Sequence, residues 1–495
     1  MKNFKFIRRF LLPLIFFIYI ISIPFLFINM EIIIRFIDSV LKLKISPSFS
    51  GGKIVNIFYD DMWDDYGYGN LKYPNNPIFV EGTLDLLAYL VYEPQINSKW
   101  SDELNFWQLG LVFKNMSNTT GSIHDFPQAI INIYIDVDEG GSINTLYPLC
   151  EKVSFDPNHP WDFVINIDSY HKYGKLISYD KSIQKNVRIY SFKERKMILI
   201  RIPLDNSLTK KILDKRKTYH YVVVGGYSIY DFGNFISIDI EPNRKSGGGA
   251  YCKLIPKIFD MILPYNLNQK EVLSGYNEVS NIYARIYPIE VDLNSNNFIN
   301  NNEYIKKIEK IIELTNKEKI EEIKNKLKDI QNNEYDKVDL GIIYFKLNEY
   351  EKSEKIFSDL LNNGETNSLI LAYYGVLNAI KGGKQKSATK AIEYVNKGFE
   401  LINKAINICQ NDIEIIHSRM CRANVALSIP EMVFQKSKIG AYDFIVALDL
   451  WKNLGISDIE KIELLIKAGH CFLRANMYIE AQICYYNAIK LFKEL

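Results

Sequence analysis

The sequence predicts a multidomain chain: an N-terminal transmembrane helix, then an antiparallel β-sandwich, then an all-α solenoid of helical hairpins. Three observations carry this. Residues 10–30 run without a charge, residues 51–292 alternate with a period of two, and beyond residue 303 Ile and Leu recur three and four apart among charges. At 495 residues the chain exceeds what one ordinary core serves, and 47% hydrophobic with 24% charged residues is a folded, globular composition. A net charge of +2 argues against a nucleic-acid partner bound by phosphate neutralisation.

Residues 1–9 form a basic flank with Lys2, Lys5, Arg8 and Arg9, and 10–34 form a signal-anchor. As a helix, the charge-free run would span about 31 Å, the thickness of a bilayer core. The basic flank belongs in the cytoplasm, so the reading is a single-pass protein of the cytoplasmic membrane with the bulk of its chain outside. No small-x-small cleavage signal follows, which favours a retained anchor. A Ser/Pro/Gly linker at 45–52 precedes the sandwich, assigned to 51–292.

In the sandwich Trp107, Leu109, Leu111 and Phe113 alternate with more polar neighbours, as do Ile131, Ile133, Ile135 and Val137. Phe163, Ile165 and Ile167 follow, then Ile236, Ile238 and Ile240. Such runs predict strands with one buried and one wet face. An Asn-rich hinge at 293–302 separates them from helical repeats at 303–495. Within the repeats, Gly341, Tyr344, Tyr350 and Phe357 have the same spacing as Gly469, Phe472, Tyr478 and Tyr485, and Asn348 matches Asn476. Small residues let two helices approach while aromatics fill the space between them. This pattern resembles the tetratricopeptide repeat and predicts about four helix pairs, offering a groove for a protein or peptide partner. Six cysteines lack metal-ligand spacing and read as buried thiols; a Cys150–Cys252 bridge would need an oxidising compartment.

The succession GGKIVNIFYDD, DDYGYGNLKYP, FVEGTLDL, IINIYIDVDEGG, HPWDFVI, RKSGGGA and PKIFDMILP resembles the C-terminal domain of glucodextranase. The resemblance implies a β-sandwich related to calcium-containing carbohydrate-binding modules and to surface-attachment domains of glycosidases. In that family the chemistry belongs to a separate helical-barrel domain, for which no segment remains here.

The stretch DDMWDDYGYG holds Asp60, Asp61, Asp64 and Asp65, four carboxylates that repel one another and suit a hard cation better than proton donation. The spacing is not that of an EF-hand. With the resemblance, these four become candidate calcium ligands, against the alternative of a solvated loop. Asp136 and Asp138, about 7 Å apart by strand geometry, are a second metal or sugar-hydroxyl candidate. Trp63, Tyr66, Tyr68 and Trp161 are the candidates for stacking on sugar rings. Six scattered histidines form no zinc pattern, and no nucleophile-base spacing is present. The expected function is therefore non-catalytic: a sandwich binding a glucan or cell-envelope glycan, with repeats binding a protein. The alternatives are a purely protein–protein envelope scaffold and, third, a glycoside hydrolase.

Overall fold

The structure, a computed structural model, describes residues 53–95, 105–116, 128–138, 140–145, 151–204, 211–212, 215–228, 235–249, 254–294, 302–330, 337–452 and 454–495. The expected anchor at 10–34, the linker at 45–52 and the Cys150–Cys252 pair lie outside these residues. Among the described residues no helix is long and apolar enough to cross a membrane.

The strands are β1 (Ile54–Tyr59), β2 (Leu86–Tyr92), β3 (Phe106–Phe113), β4 (Ala129–Asp136), β5 (Val153–Phe155), β6 (Phe163–Asp168), β7 (Tyr173–Ser178), β8 (Gln184–Phe192), β9 (Met197–Pro203), β10 (Lys217–Gly226), β11 (Ser237–Asp239), β12 (Ser246–Gly248), β13 (Asp260–Ile262), β14 (Ala284–Ile286) and β15 (Ile289–Asp292). Eleven of them join in one sheet, ordered β1-β2-β3-β9-β8-β7-β6-β4-β10-β13, with β15 also on β10. From β2 onward each pairing along this path is antiparallel. The sheet curls into a barrel-like sandwich around one apolar core that includes Trp107, Ile133, Ile165, Ile200, Val223 and Met261. Close to its two ends, the Leu86 N–H of β2 donates to Asp260 Oδ2 of β13.

The expectation of one wet face fails for the central strands. β2 and β4 are buried on both faces. On β4, Asn132 and Tyr134 point to the side expected to be wet, yet both donate to the Glu151 carboxylate, which is itself fully buried. A covering segment therefore replaces water there. On β2 and β3 the cover is the helical half: Leu87, Val112 and Phe113 share a cavity of about 40 Å³ with Tyr442, Ile445, Phe472 and Ile483. Of the 236–240 run, only Ser237–Asp239 forms a strand, and Ile240 is exposed.

The helices are α1 (Gln269–Leu273), α2 (Asn302–Ile330), α3 (Lys337–Lys346), α4 (Tyr350–Asn362), α5 (Ser368–Gly383), α6 (Ala388–Ile408), α7 (Asp412–Ser428), α8 (Glu431–Phe434), α9 (Ser437–Lys452), α10 (Asp458–Arg474) and α11 (Tyr478–Glu494). Eight of them pack as four pairs, α3 with α4, α5 with α6, α7 with α9, and α10 with α11. Local chemistry sets their starts: Asn367 and Asn411 accept from the third backbone N–H of α5 and α7, and Ser457 with Glu460 forms a capping box on α10. Buried Asp443 accepts from both Arg419 and Arg422, tying α9 to α7.

The two matched repeats share detailed geometry. Asn348 and Asn476 take left-handed φ of 60° and 59° at the turn between helices, a conformation that Asn tolerates. Tyr350 and Tyr478 each donate from their hydroxyl to that Asn side chain. Gly341 lies under the Phe357 ring and Gly469 under the Tyr485 ring, while Ser353 Oγ donates to the Gly341 carbonyl. Tyr344 lies under the Lys352 ammonium, and Phe472 meets Tyr442 edge-on.

Sandwich and helices belong to one compact unit, Val55–Leu495. Tyr59 of β1 stacks on Tyr486 of α11 with ring centroids 5.2 Å apart. Tyr442 of α9 donates to the Glu194 carbonyl, and Lys438 pairs with the Glu194 carboxylate. The expected hinge at 293–302 thus separates two kinds of secondary structure without separating two independent bodies.

A Cβ on Gly469 would stand 2.4 Å from Tyr485 Cε1, and one on Gly341 would stand 2.7 Å from Phe357 Cζ. Alanine gains about 1 kcal/mol of helix propensity over glycine, but overpacking costs about 1–3 kcal/mol. Gly341→Ala and Gly469→Ala should each lower the denaturation midpoint, by about 1 kcal/mol in stability; a raised midpoint would contradict this packing.

Candidate metal centre and polar cleft

β1 ends at Tyr59, and the acidic stretch that follows is drawn back against the seam of the sheet. The Asp60 N–H donates to the Leu87 carbonyl at 3.0 Å, and the Trp63 N–H donates to Asp85 Oδ2 at 2.8 Å. On the other side Gln269 Nε2 donates to the Asp64 carbonyl at 2.6 Å, and the Gly67 N–H donates to the Phe259 carbonyl. Gly67 has φ +57°, and a Cβ there would meet the Ile258 carbonyl at 2.6 Å, so only glycine fits this close approach.

Asp60, Asp64 and Asp260 each bring a carboxylate oxygen to within 4.8 Å of the others. Asp60 and Asp260 are buried. Asp85, fully buried on the approach to β2, acts electrostatically on all three. Asp260 is well used: Oδ2 accepts from Leu86 and Oδ1 from Met261. By contrast, Asp60 Oδ2, Asp64 Oδ1 and Asp85 Oδ1 are buried atoms that accept no hydrogen bond among the described residues. Burial first, then repulsion from neighbouring carboxylates (Asp61 on Asp60 and Asp65 on Asp85 among them), pushes all four carboxyls well above the ordinary range. Lys490 and Lys114 oppose this only in part.

Buried oxygens without donors, set among like charges, are costly unless a cation satisfies them. The donor set is all oxygen, with no His or Cys, and so fits a hard divalent cation such as calcium rather than zinc. Asp60, Asp64 and Asp260 would hold it, with Asp85 behind them.

The sequence expectations divide here. Asp60 and Asp64 enter the cluster. Asp61 turns the other way and pairs with Lys490, while Asp65 accepts from the Tyr73 hydroxyl and lies outside the triad. Asp85 and Asp260 were missed because they are far along the chain. Their signal was a lone Asp inside an apolar run, in FVEGTLDL and PKIFDMILP. The stacking candidates fare worse. Trp161 is 1% exposed, edge-on to Tyr134, and its indole N–H donates to the Asn144 carbonyl; it is a core residue. Tyr68 is buried against Tyr276. Trp63 donates to Asp449 of α9, with the Lys114 ammonium 5.0 Å from its ring, so the helical half takes the place a sugar would need. Tyr66 is half-buried, with its hydroxyl on Glu81.

Asp136 and Asp138 lie elsewhere, at the end of β4, and β4 stops at Asp136, so they do not share a strand face. Both line an open cleft of about 560 Å³ with Asn158, Lys215, Lys217 and Tyr219. His159 Nδ1 is 3.0 Å from Asp136 Oδ2, and its ring stacks on Tyr219 at 3.7 Å between centroids. Lys211 pairs with Asp138 at 2.7 Å. Behind the cleft, Asp162 accepts from the N–H groups of Val137 and Asp138 and fixes the turn; burial raises its carboxyl to about 6. His159 stands in the HPWDFVI motif of the sequence, whereas Tyr219 was not singled out, being one aromatic among many.

Residues 55–288 match the family model of the C-terminal, SLH-like binding module of glucodextranase. That match covers the sandwich up to β14, with α1 inside it, and leaves β15 and helices α2 to α11 beyond it. It indicates a module of the carbohydrate-binding type. No curated protein matches the chain.

The raised carboxyls set a pH dependence. Their folded pKa values lie above the unfolded ~4, so the cation-free cluster contributes stability that is full below about pH 4 and lost as pH rises through the raised values. Calcium would replace those protons. The rise in melting temperature on adding calcium to the chelator-treated full-length chain should therefore grow from pH 5 to pH 8; a flat or shrinking increment would contradict a carboxylate cation site.

Proposed function

We propose that the protein is a non-catalytic, membrane-anchored binding and scaffolding protein. Its sandwich takes a glucan or cell-envelope glycan, and its helical pairs, related to tetratricopeptide repeats, take a protein partner. In this reading residues 10–34 anchor the chain in the cytoplasmic membrane, with the described part on the outer side and calcium as a structural cofactor. The observation that carries the glycan assignment is the cleft at the end of β4. It combines an aromatic platform (Tyr219 on His159) with fixed carboxylates, an amide and ammonium groups, the mixture that orients sugar hydroxyls over an apolar ring face.

Support for a binding role over hydrolysis comes from how the cleft carboxylates are used. Hydrolysis needs one protonated and one free carboxyl facing each other across the sugar. Burial raises the carboxyls of both Asp136 and Asp162, but Asp136 is engaged by His159, Asp162 is 4% exposed with two backbone N–H groups on it, and Asp138 is paired with Lys211. The alternative of a purely protein-binding scaffold is favoured by the burial of Trp161 and Tyr68 and by the docked position of Trp63.

Calorimetric titration of the full-length chain in detergent with α-glucans and envelope polysaccharides separates these readings. The expected result is saturable binding that weakens about two- to tenfold in Tyr219→Ala, since one aromatic contact is worth about 0.5–1.5 kcal/mol. Absence of binding to every polysaccharide would favour the protein scaffold.

A further inference from the structure

The residues 60–65 carry two sets of groups that face opposite ways. Asp60 and Asp64 turn into the carboxylate triad with Asp260. Between them, Asp61, Met62 and Trp63 turn toward the helical half. Asp61 pairs with Lys490 of α11. The Met62 N–H donates to Asn487 Oδ1 at 3.0 Å, and Asn487 Nδ2 donates in return to the Asp60 carbonyl at 3.3 Å. The Trp63 indole N–H donates to Asp449 of α9, which Lys114 holds at 2.8 Å.

Trp63 sits at φ 69°, in the left-handed region that a bulky side chain enters only when its surroundings hold it. Two groups do so from opposite sides, Asp85 on the backbone N–H and Asp449 on the ring. Asp85 is fully buried, and its Oδ1, like Asp60 Oδ2, accepts nothing among the described residues. The short loop therefore joins a group of oxygens short of positive charge to the surface on which α9 and α11 rest. Repulsion that spread Asp60 from Asp64 would necessarily shift Met62 and Trp63 between them.

We propose that a divalent cation held by Asp60, Asp64 and Asp260 latches the helical half onto the sandwich, docked with the ion and loosened without it. This rests on the cation reading of the cluster. Linkage makes the effect reciprocal: if the ion favours docking, weakening the dock must weaken the ion by the same factor. Asn487 is the residue for that test, because it is neutral and touches the loop only through backbone groups. Replacing Lys490 would instead change the charge acting on Asp60.

The experiment uses the full-length chain in detergent, with calcium chloride as the probe. Hydrogen exchange is followed in peptides covering 478–494, and calcium affinity is measured by titration in the wild type and in Asn487→Ala. Chelation should speed exchange in α11 about fivefold or more, and Asn487→Ala should weaken calcium by a similar factor. If calcium binds but exchange in α11 does not respond, or if the Asn487→Ala affinity is unchanged, the latch is overturned and the cation site stands. If the wild type takes up no calcium, the cation reading falls and the latch with it. The wild-type exchange comparison decides the question even if the variant fails to fold.

Discussion

The structure turns on an excess of negative charge gathered where the curled sheet closes on itself. β1, β2 and β13 converge there, and each delivers an aspartate: Asp60 just after β1, Asp85 just before β2 and Asp260 at the start of β13. Closure needs polar groups at that point, because strand ends leave N–H groups that must be satisfied. Asp260 and Asp85 serve this need by accepting from Leu86, Met261 and Trp63. The arrangement nevertheless brings carboxylates closer together than ionised groups tolerate in a dry site. A hard cation would resolve the conflict, and Asp60 Oδ2, Asp64 Oδ1 and Asp85 Oδ1 accept no hydrogen bond among the described residues.

The helical half then follows from the same loop. The stretch that delivers Asp60 and Asp64 also presents Asp61, Met62 and Trp63 to α9 and α11, and Tyr486 covers Tyr59. Apolar surface on β2 and β3 that would otherwise be wet is buried by Tyr442, Ile445, Phe472 and Ile483. The sandwich and the repeats therefore complete each other, and the polar cleft at the end of β4 is built from residues of the sandwich alone.

Much of this organisation was legible in the sequence. Period-two alternation located β3, β4 and β6, and the Gly-to-Tyr spacing located the two matched helix pairs, whose Asn turns and ring-over-glycine packing share one geometry. What alternation could not show is which faces are later covered. Asn132 and Tyr134 look solvent-bound in a local window and are sealed by Glu151, whose position depends on the tertiary path. The same limit applies to the sites. Asp60 and Asp64 stood out as a dense acidic run, but Asp85 and Asp260 join them only through sheet closure, and Asp61 leaves them only because Lys490 is docked nearby. Trp161 has the residue type of a sugar platform and the surroundings of a core.

Whether the seam carboxylates hold a cation is open to direct measurement. Elemental analysis of the purified full-length chain, loaded with calcium and dialysed exhaustively, tests it most directly. About one calcium per chain, lost in Asp260→Asn while folding is retained, is the result this account predicts. A folded wild-type chain that carries no calcium after loading would contradict it.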